Sequence, residues 1–148
     1  MKILIINGPN LNLLGKREPK IYGKNSLKDL IIYTQKNIEN KKIKLEWFQS
    51  NLEGEIINKL QEALTNKIDG IIINPGGYAH SSVAIHDAMK ILRIPIVEVH
   101  LSQIYQREDF RHCMLTAKAA TAVMTGLGPE SYLSAINAME KILKRKLK

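Results

Sequence analysis

The chain has 148 residues, 45% hydrophobic and 24% charged, the proportions of one globular domain rather than of a disordered or fibrous chain. No apolar run approaches the roughly 20 residues that span a bilayer, and the single Cys113 has no internal disulfide partner, which suits a reducing cytoplasm. The formal net charge is +8 with only 5% aromatics, and Lys141, Lys144, Arg145, Lys146 and Lys148 gather in the basic end at 141–148. That pattern complements a terminal helix dipole and attracts small anions, but it offers no base-stacking platform, so nucleic acid is not the expected partner.

The opening MKILIINGPN has a lysine and a short apolar run but no small-residue cleavage site, so it reads as a strand rather than a signal peptide. Residues 2–7 (KILIIN) form that first strand. Leu27, Leu30, Ile31, Thr34 and Ile38 then share one stripe of a helix spanning 26–40, with Ser26 as its N-cap. Residues 43–49 (IKLEWFQ) alternate as a second strand, and Ile56, Ile57, Leu60, Ala63 and Leu64 return to helical spacing. GIIIN (70–74) is a β-branched third strand followed at once by Pro75-Gly76-Gly77. A short helix over about 81–92, the strand PIVEVH (95–100), the strand TAVMTG (121–126) and a helix over 129–147 complete the chain. No linker or repeat divides it, so residues 1–148 are expected to form one domain.

Strands alternating with helices imply parallel pairing, because parallel neighbours need long crossovers. At this length the expectation is an α/β, open doubly wound sheet of five parallel strands in the flavodoxin-like order 2-1-3-4-5, with helices on both faces; a (β/α)8 barrel needs about 250 residues. Ligands of such sheets bind beyond the carboxyl ends of the strands. Asn7, Gly8, Pro9, Asn10 and Asn12 follow strand 1, Asn74 to His80 follow strand 3, and Glu98-Val99-His100-Leu101-Ser102 closes strand 4. Taken singly, each has an ordinary explanation. Asn and Gly after a strand make turns, His80 caps the helix starting near Ser81, and Glu98 with His100 forms an ion pair on one strand face. The same Glu-x-His spacing is that of a carboxylate orienting an imidazole for proton transfer.

Two further segments carry candidate chemistry. The loop 15–24 (GKREPKIYGK) is bracketed by Gly15 and Gly23, as a closing lid would be. Composition alone favours a surface loop with an incidental tyrosine; the alternative is that Arg17, adjacent to Tyr22, stabilises its phenolate, which otherwise titrates near 10. Residues 106–112 (QREDFRH) alternate in charge like a solvated helix face, yet one arginine there is within reach of the crevice. The histidines lack metal-ligand spacing and no lysine ends a strand, so neither metal nor Schiff-base chemistry, and no cofactor, is expected.

Taken together, NGPNLNLLGKREPKIYG (7–23), FQSNLEGEIINKL (48–60), INPGGYAHSSVAIHDAM (73–89), VEVHLSQIYQREDFRH (97–112) and GLGPESYLSAI (126–136) resemble the successive motif blocks of type II 3-dehydroquinate dehydratases, in register from about residue 2 to residue 140. The resemblance implies a flavodoxin-like hydro-lyase that removes water from 3-dehydroquinate by anti elimination, a step of the shikimate pathway. It implies Tyr22 as the base, with Arg17 keeping it ionised, and an enolate steadied by a water on Asn10 and the backbone near Pro9 and Gly77. His100 is then the general acid, oriented by Glu98 and helped by Asn74. Leu101 and Ser102 bind the substrate carboxylate, and His80 and Arg111 hold ring hydroxyls. Asp87 reaches a neighbouring subunit's site, within a dodecamer built as a tetramer of trimers. Gly77-Tyr78-Ala79, Ser81, His86 and Tyr105 depart from the common family pattern, and none of the implied catalytic positions does. The alternative is a flavodoxin-like module that binds a phosphate or nucleotide without catalysis. Against it, the loop after strand 1 has neither a Ser/Thr-rich cradle nor G-x-G-x-x-G.

Overall fold

The computed structural model describes residues 1–16 and 19–146. Five strands, β1 (Lys2–Asn7), β2 (Lys44–Gln49), β3 (Gly70–Asn74), β4 (Ile96–His100) and β5 (Ala122–Thr125), form one sheet in the order β2-β1-β3-β4-β5, every neighbouring pair parallel. This is the expected order. Helices α2 (Leu27–Asn37) and α5 (Ser131–Lys146) cover one face, and α3 (Glu53–Glu62) and α4 (Val83–Ile91) cover the other. A single-turn helix, α1 (Pro19–Tyr22), lies within the segment expected as a loop.

The apolar runs of the central strands serve both faces. Ile3, Ile5, Ile72, Val97 and Val99 pack toward α2 and α5, while Leu4, Ile6, Ile71, Ile73 and Ile96 pack toward α3 and α4. Full burial of each such side chain contributes about 2 kcal/mol, which is why strands covered on both sides lose the polar alternation of a one-sided sheet. Edge strand β2 is only partly buried, and its Glu46 holds Lys2 at 2.7 Å and Lys59 at 2.8 Å. Charge on an edge strand discourages pairing with another chain.

Local signals account for most boundaries. Ser26 caps α2 in a reciprocal box with Asp29, accepting the Asp29 N–H while the Asp29 carboxylate accepts the Ser26 N–H. Helix α4 starts later than expected. A 3-10 turn occupies Gly76–His80, and Ser82, not His80, caps the helix by accepting the Ile85 N–H at 2.8 Å. The crossover from β4 to β5 also differs from a regular alternation. It contains no α-helix, only 3-10 turns at Ile104–Gln106, Asp109–Arg111 and Thr116–Ala119, so the charged stretch 106–112 is not a helix face.

The ends of β1 and β3 meet at van der Waals limit. Asn7 stands opposite Asn74, and the Gly8 N–H donates to the Asn74 carbonyl at 2.7 Å. A Cβ on Gly8 would lie 2.4 Å from the Pro75 carbonyl oxygen, a backbone atom that cannot swing aside. Gly8→Ala is therefore expected to lower stability by about 2 kcal/mol or more, a fall in Tm of roughly 5–10 °C. An unchanged melting curve would show that the strand ends have slack.

Candidate active site

A cavity of about 130 Å³ opens at the carboxyl edge of the sheet, walled by Pro9 and Asn10 after β1, Asn74, Gly76, Gly77 and His80 around the end of β3, and His100, Leu101 and Ser102 from β4 onward. Arg107 and Arg111 close one side, and Leu11, Leu14 and Ile104 supply an apolar rim. Of the residues expected at the site, Asn10, Asn74, Gly77, His80, His100, Leu101, Ser102 and Arg111 are brought together. Glu98 stands behind His100 rather than in the wall. Asp87 is on α4 with its side chain 69% exposed, paired with His86 at 3.0 Å and outside this cavity of its own chain. Arg17 and the side chain of Tyr22 lie outside the described residues.

His100 ends β4 with its ring almost wholly buried, and its Nε2 meets Glu98 Oε1 at 2.7 Å. Residues two apart on a strand share a face, which is why this pair forms. The carboxylate takes the Nε2–H, fixing the tautomer and turning Nδ1 into the nitrogen left for proton exchange. Glu98 is fully buried and its Oε2 has no partner, so the pair is enclosed and the carboxylate acts on His100 alone among the described residues.

His80 lies beside it, the two ring centroids 6.3 Å apart with planes 28° from parallel. Its Nδ1 donates to the Cys113 carbonyl at 3.0 Å, so Nε2 is the acceptor of the neutral ring. Burial lowers the His80 pKa below the usual 6.5. The Cys113 carbonyl opposes that shift, and the positive fields of His100 and Arg111 reinforce it.

The loops are held by residues that the sequence did not single out. The Asn10 N–H donates to Asn51 Oδ1 at 2.9 Å, and the Tyr78 hydroxyl donates to the Asn51 carbonyl at 2.8 Å, so the loop after β2 ties the β1 and β3 loops together. Asn10 has φ of 67°, a left-handed backbone unusual outside glycine. Thr125 at the end of β5 donates to the Ser102 carbonyl at 2.8 Å and accepts the Ile104 N–H at 3.0 Å. Arg111 was named from sequence and Arg107 was not, yet both reach the cavity. Arg107 Nη1 donates to Ser102 Oγ at 3.3 Å. Glu108 sits between the two guanidiniums, 2.8 Å from Arg111 and 3.3 Å from Arg107, and its own backbone N–H and then Arg111 bring its pKa down to about 2. The signal in the sequence was the R-E-x-x-R spacing, which places one carboxylate within reach of two cations.

Among the described residues the cavity wall carries no carboxylate, two histidines, two arginines and two asparagine amides. Such a wall fits a small polyhydroxylated anion and supplies a proton-transfer group at His100. Among the same residues no group of three or more His, Cys, Asp and Glu comes together to hold a metal ion, and no helix is long and apolar enough to cross a membrane. The depressed His80 pKa has a linkage consequence. The folded ring binds its proton less readily than the unfolded one, so stability is full above pH 6.5 and falls as the pH drops below it. A proton-detected titration is expected to place the His80 midpoint below 6.5, and His80→Gln to lose less stability over that acid range than the wild type. A midpoint at or above 6.5 would refute the burial argument.

Comparison with known proteins finds close relatives of the whole chain. A 3-dehydroquinate dehydratase of Clostridium perfringens is 51% identical over 146 residues, covering 99% of this chain and 100% of its own. The enzyme of the same name from Fusobacterium nucleatum is 54% identical over 138 residues, covering 92% and 94%. The crystal structure of type II dehydroquinase from Butyrivibrio crossotus superposes with a TM-score of 0.92 at 45% identity, over 95% of this chain and 97% of that one. The model of the class II dehydroquinases matches residues 1–140, and the chain accordingly belongs to that family.

Proposed function

We propose that the chain is a hydro-lyase converting 3-dehydroquinate to 3-dehydroshikimate, and that the buried Glu98–His100 pair in a donor-lined cavity is the observation that carries the reading. Proton removal from C2, next to the ketone, places negative charge on oxygen. Fixed donors around that oxygen are the largest expected contribution to rate, and in this reading the donor is a water held by Asn10 and the backbone near Pro9 and Gly77, all at the cavity wall. Tyr22, kept ionised by Arg17, is the base. His100 then protonates the departing C1 hydroxyl from Nδ1, helped by Asn74, and the ring leaves the step neutral with its remaining proton on Nε2, toward Glu98. Ser102 and the backbone at Leu101 receive the carboxylate beside Arg107, while His80 and Arg111 hold ring hydroxyls.

Gly15 and Gly23, with φ of +83° and +77°, flank the proposed lid over 15–24 and give it hinges that tolerate left-handed backbone. The reaction needs no cofactor, its place is the shikimate pathway, and its compartment is the cytoplasm. The assembly is a dodecamer in which Asp87 serves a neighbouring site. Supporting this, Val83, Asp87 and Ile91 form one exposed stripe of α4, Val83 59% and Ile91 56% exposed.

Two experiments test the reading. Purified protein freed of metal and mixed with 3-dehydroquinate should generate the near-ultraviolet absorbance of a conjugated enone, unaffected by borohydride. Tyr22→Phe and His100→Ala should each lower kcat by about 100-fold or more while ligand affinity is kept. Near-normal turnover in either variant would remove that residue from its role, and no enone from folded wild type would return the chain to a binding module. For the assembly, sedimentation should give a mass of twelve chains, and Ile91→Asp should give smaller species with less activity. A wild-type monomer would sink the intersubunit role of Asp87.

A further inference from the structure

Behind the cavity wall a line of buried side chains crosses the sheet edge. Asn7 Nδ2 donates to the Phe48 carbonyl at 3.3 Å, and Asn7 Oδ1 accepts the Tyr132 hydroxyl proton at 2.5 Å. The Tyr132 oxygen accepts from Asn74 Nδ2 at 3.3 Å, and Asn74 Oδ1 accepts the Gly76 N–H at 3.3 Å. Tyr132 is wholly buried, and Asn7 and Asn74 nearly so. Both ends of the line are backbone groups of fixed polarity, a carbonyl that only accepts and an N–H that only donates. Every amide between them is therefore oriented. A flipped Asn74 would set its oxygen against the Tyr132 lone pairs and its amino group against the Gly76 N–H, losing two bonds in a buried site where each unmade bond is expensive.

Packing fixes where the hydroxyl sits. The Tyr132 ring meets Trp47 edge to face, centroids 5.3 Å apart and planes at 61°, within the core beneath α5. Burial also raises the Tyr132 pKa above its usual 10, so the phenol keeps the proton it gives to Asn7.

We propose that Tyr132 is a positioning residue of the active site, whose hydroxyl, oriented by Asn7, locks the Asn74 amide so that Asn74 meets the ligand only as a hydrogen-bond donor. The kinetic side of this inference rests on the dehydratase reading above, in which the oxygen so served is that of the departing hydroxyl. Tyr132→Phe keeps the ring and removes only the lock.

The test has two arms. In nitrogen-edited NMR, the Asn74 side-chain amide of the wild type should show two separated, slowly exchanging protons, and Tyr132→Phe should bring them together and speed exchange. This arm needs no turnover, so it still decides the proposal if the wild type fails to dehydrate 3-dehydroquinate and the functional reading falls. In the kinetic arm, Tyr132→Phe should lower kcat about tenfold per folded molecule, the size expected from losing roughly one hydrogen bond, with KM changed far less. Tyr132→Phe combined with Asn74→Ala should be no slower than Asn74→Ala alone, because the first acts through the second. Ile136→Val, on the same helix and outside the line, should lower Tm without this loss of kcat. If Tyr132→Phe does not fold, Asn7→Ala cuts the neighbouring link and is read the same way. An unaltered Asn74 amide spectrum, or additive losses in the double variant, would overturn the proposal.

Discussion

The in-register parallel pairing of β1, β3 and β4 is the constraint on which the site depends. Asn7 opposite Asn74, with Ile73 opposite Glu98 one strand further, places Asn74 and the Glu98–His100 pair at one sheet edge. Side chains alternate faces at every residue, so a slip of one position would turn Glu98 and His100 toward the α2–α5 side and bury Val99 where they stand. It would also put the isoleucines of β3 on the wrong faces. The hydrophobic cost of misregister thus protects the geometry of the polar groups.

Around that edge the carboxylates are kept one step back. Glu98 is buried behind His100, and Glu108 stands on the solvent side of the two arginines, so that the cavity keeps its donors and its positive field. The irregular crossover between β4 and β5 makes this possible. An α-helix there would carry the chain away along the face of the sheet. Successive 3-10 turns instead keep Arg107, Arg111 and the Cys113 carbonyl folded against the strand ends.

The strands and their order were legible because β-branched apolar runs between turn residues have few other readings, and Ser26 announced α2 as its N-cap, a position to which the structure adds the Asp29 partner. The site was legible where chain position alone decides it, as for Asn74 and His100 at strand ends. The start of α4 was misplaced because two adjacent serines compete for the cap, and Gly76 at φ of +58° begins a 3-10 turn first. Arg107 stayed hidden beside Arg111 because short turns have no periodicity to say which side chain faces inward. Tyr132 was not singled out within the helix expected over 129–147. Its partner Asn7 is 125 positions away in sequence, and only the rule that a buried tyrosine hydroxyl seeks an acceptor hinted at more.

The left-handed backbone at Asn10 sets two selective pressures against each other. An asparagine at positive φ is less stable than a glycine there by up to about 1 kcal/mol, so a search for thermostable variants would favour glycine at this position. The side chain that glycine deletes belongs to a residue of the cavity wall. Variants chosen for heat resistance alone would drift toward a well-folded protein that lacks the Asn10 side chain at the cavity wall.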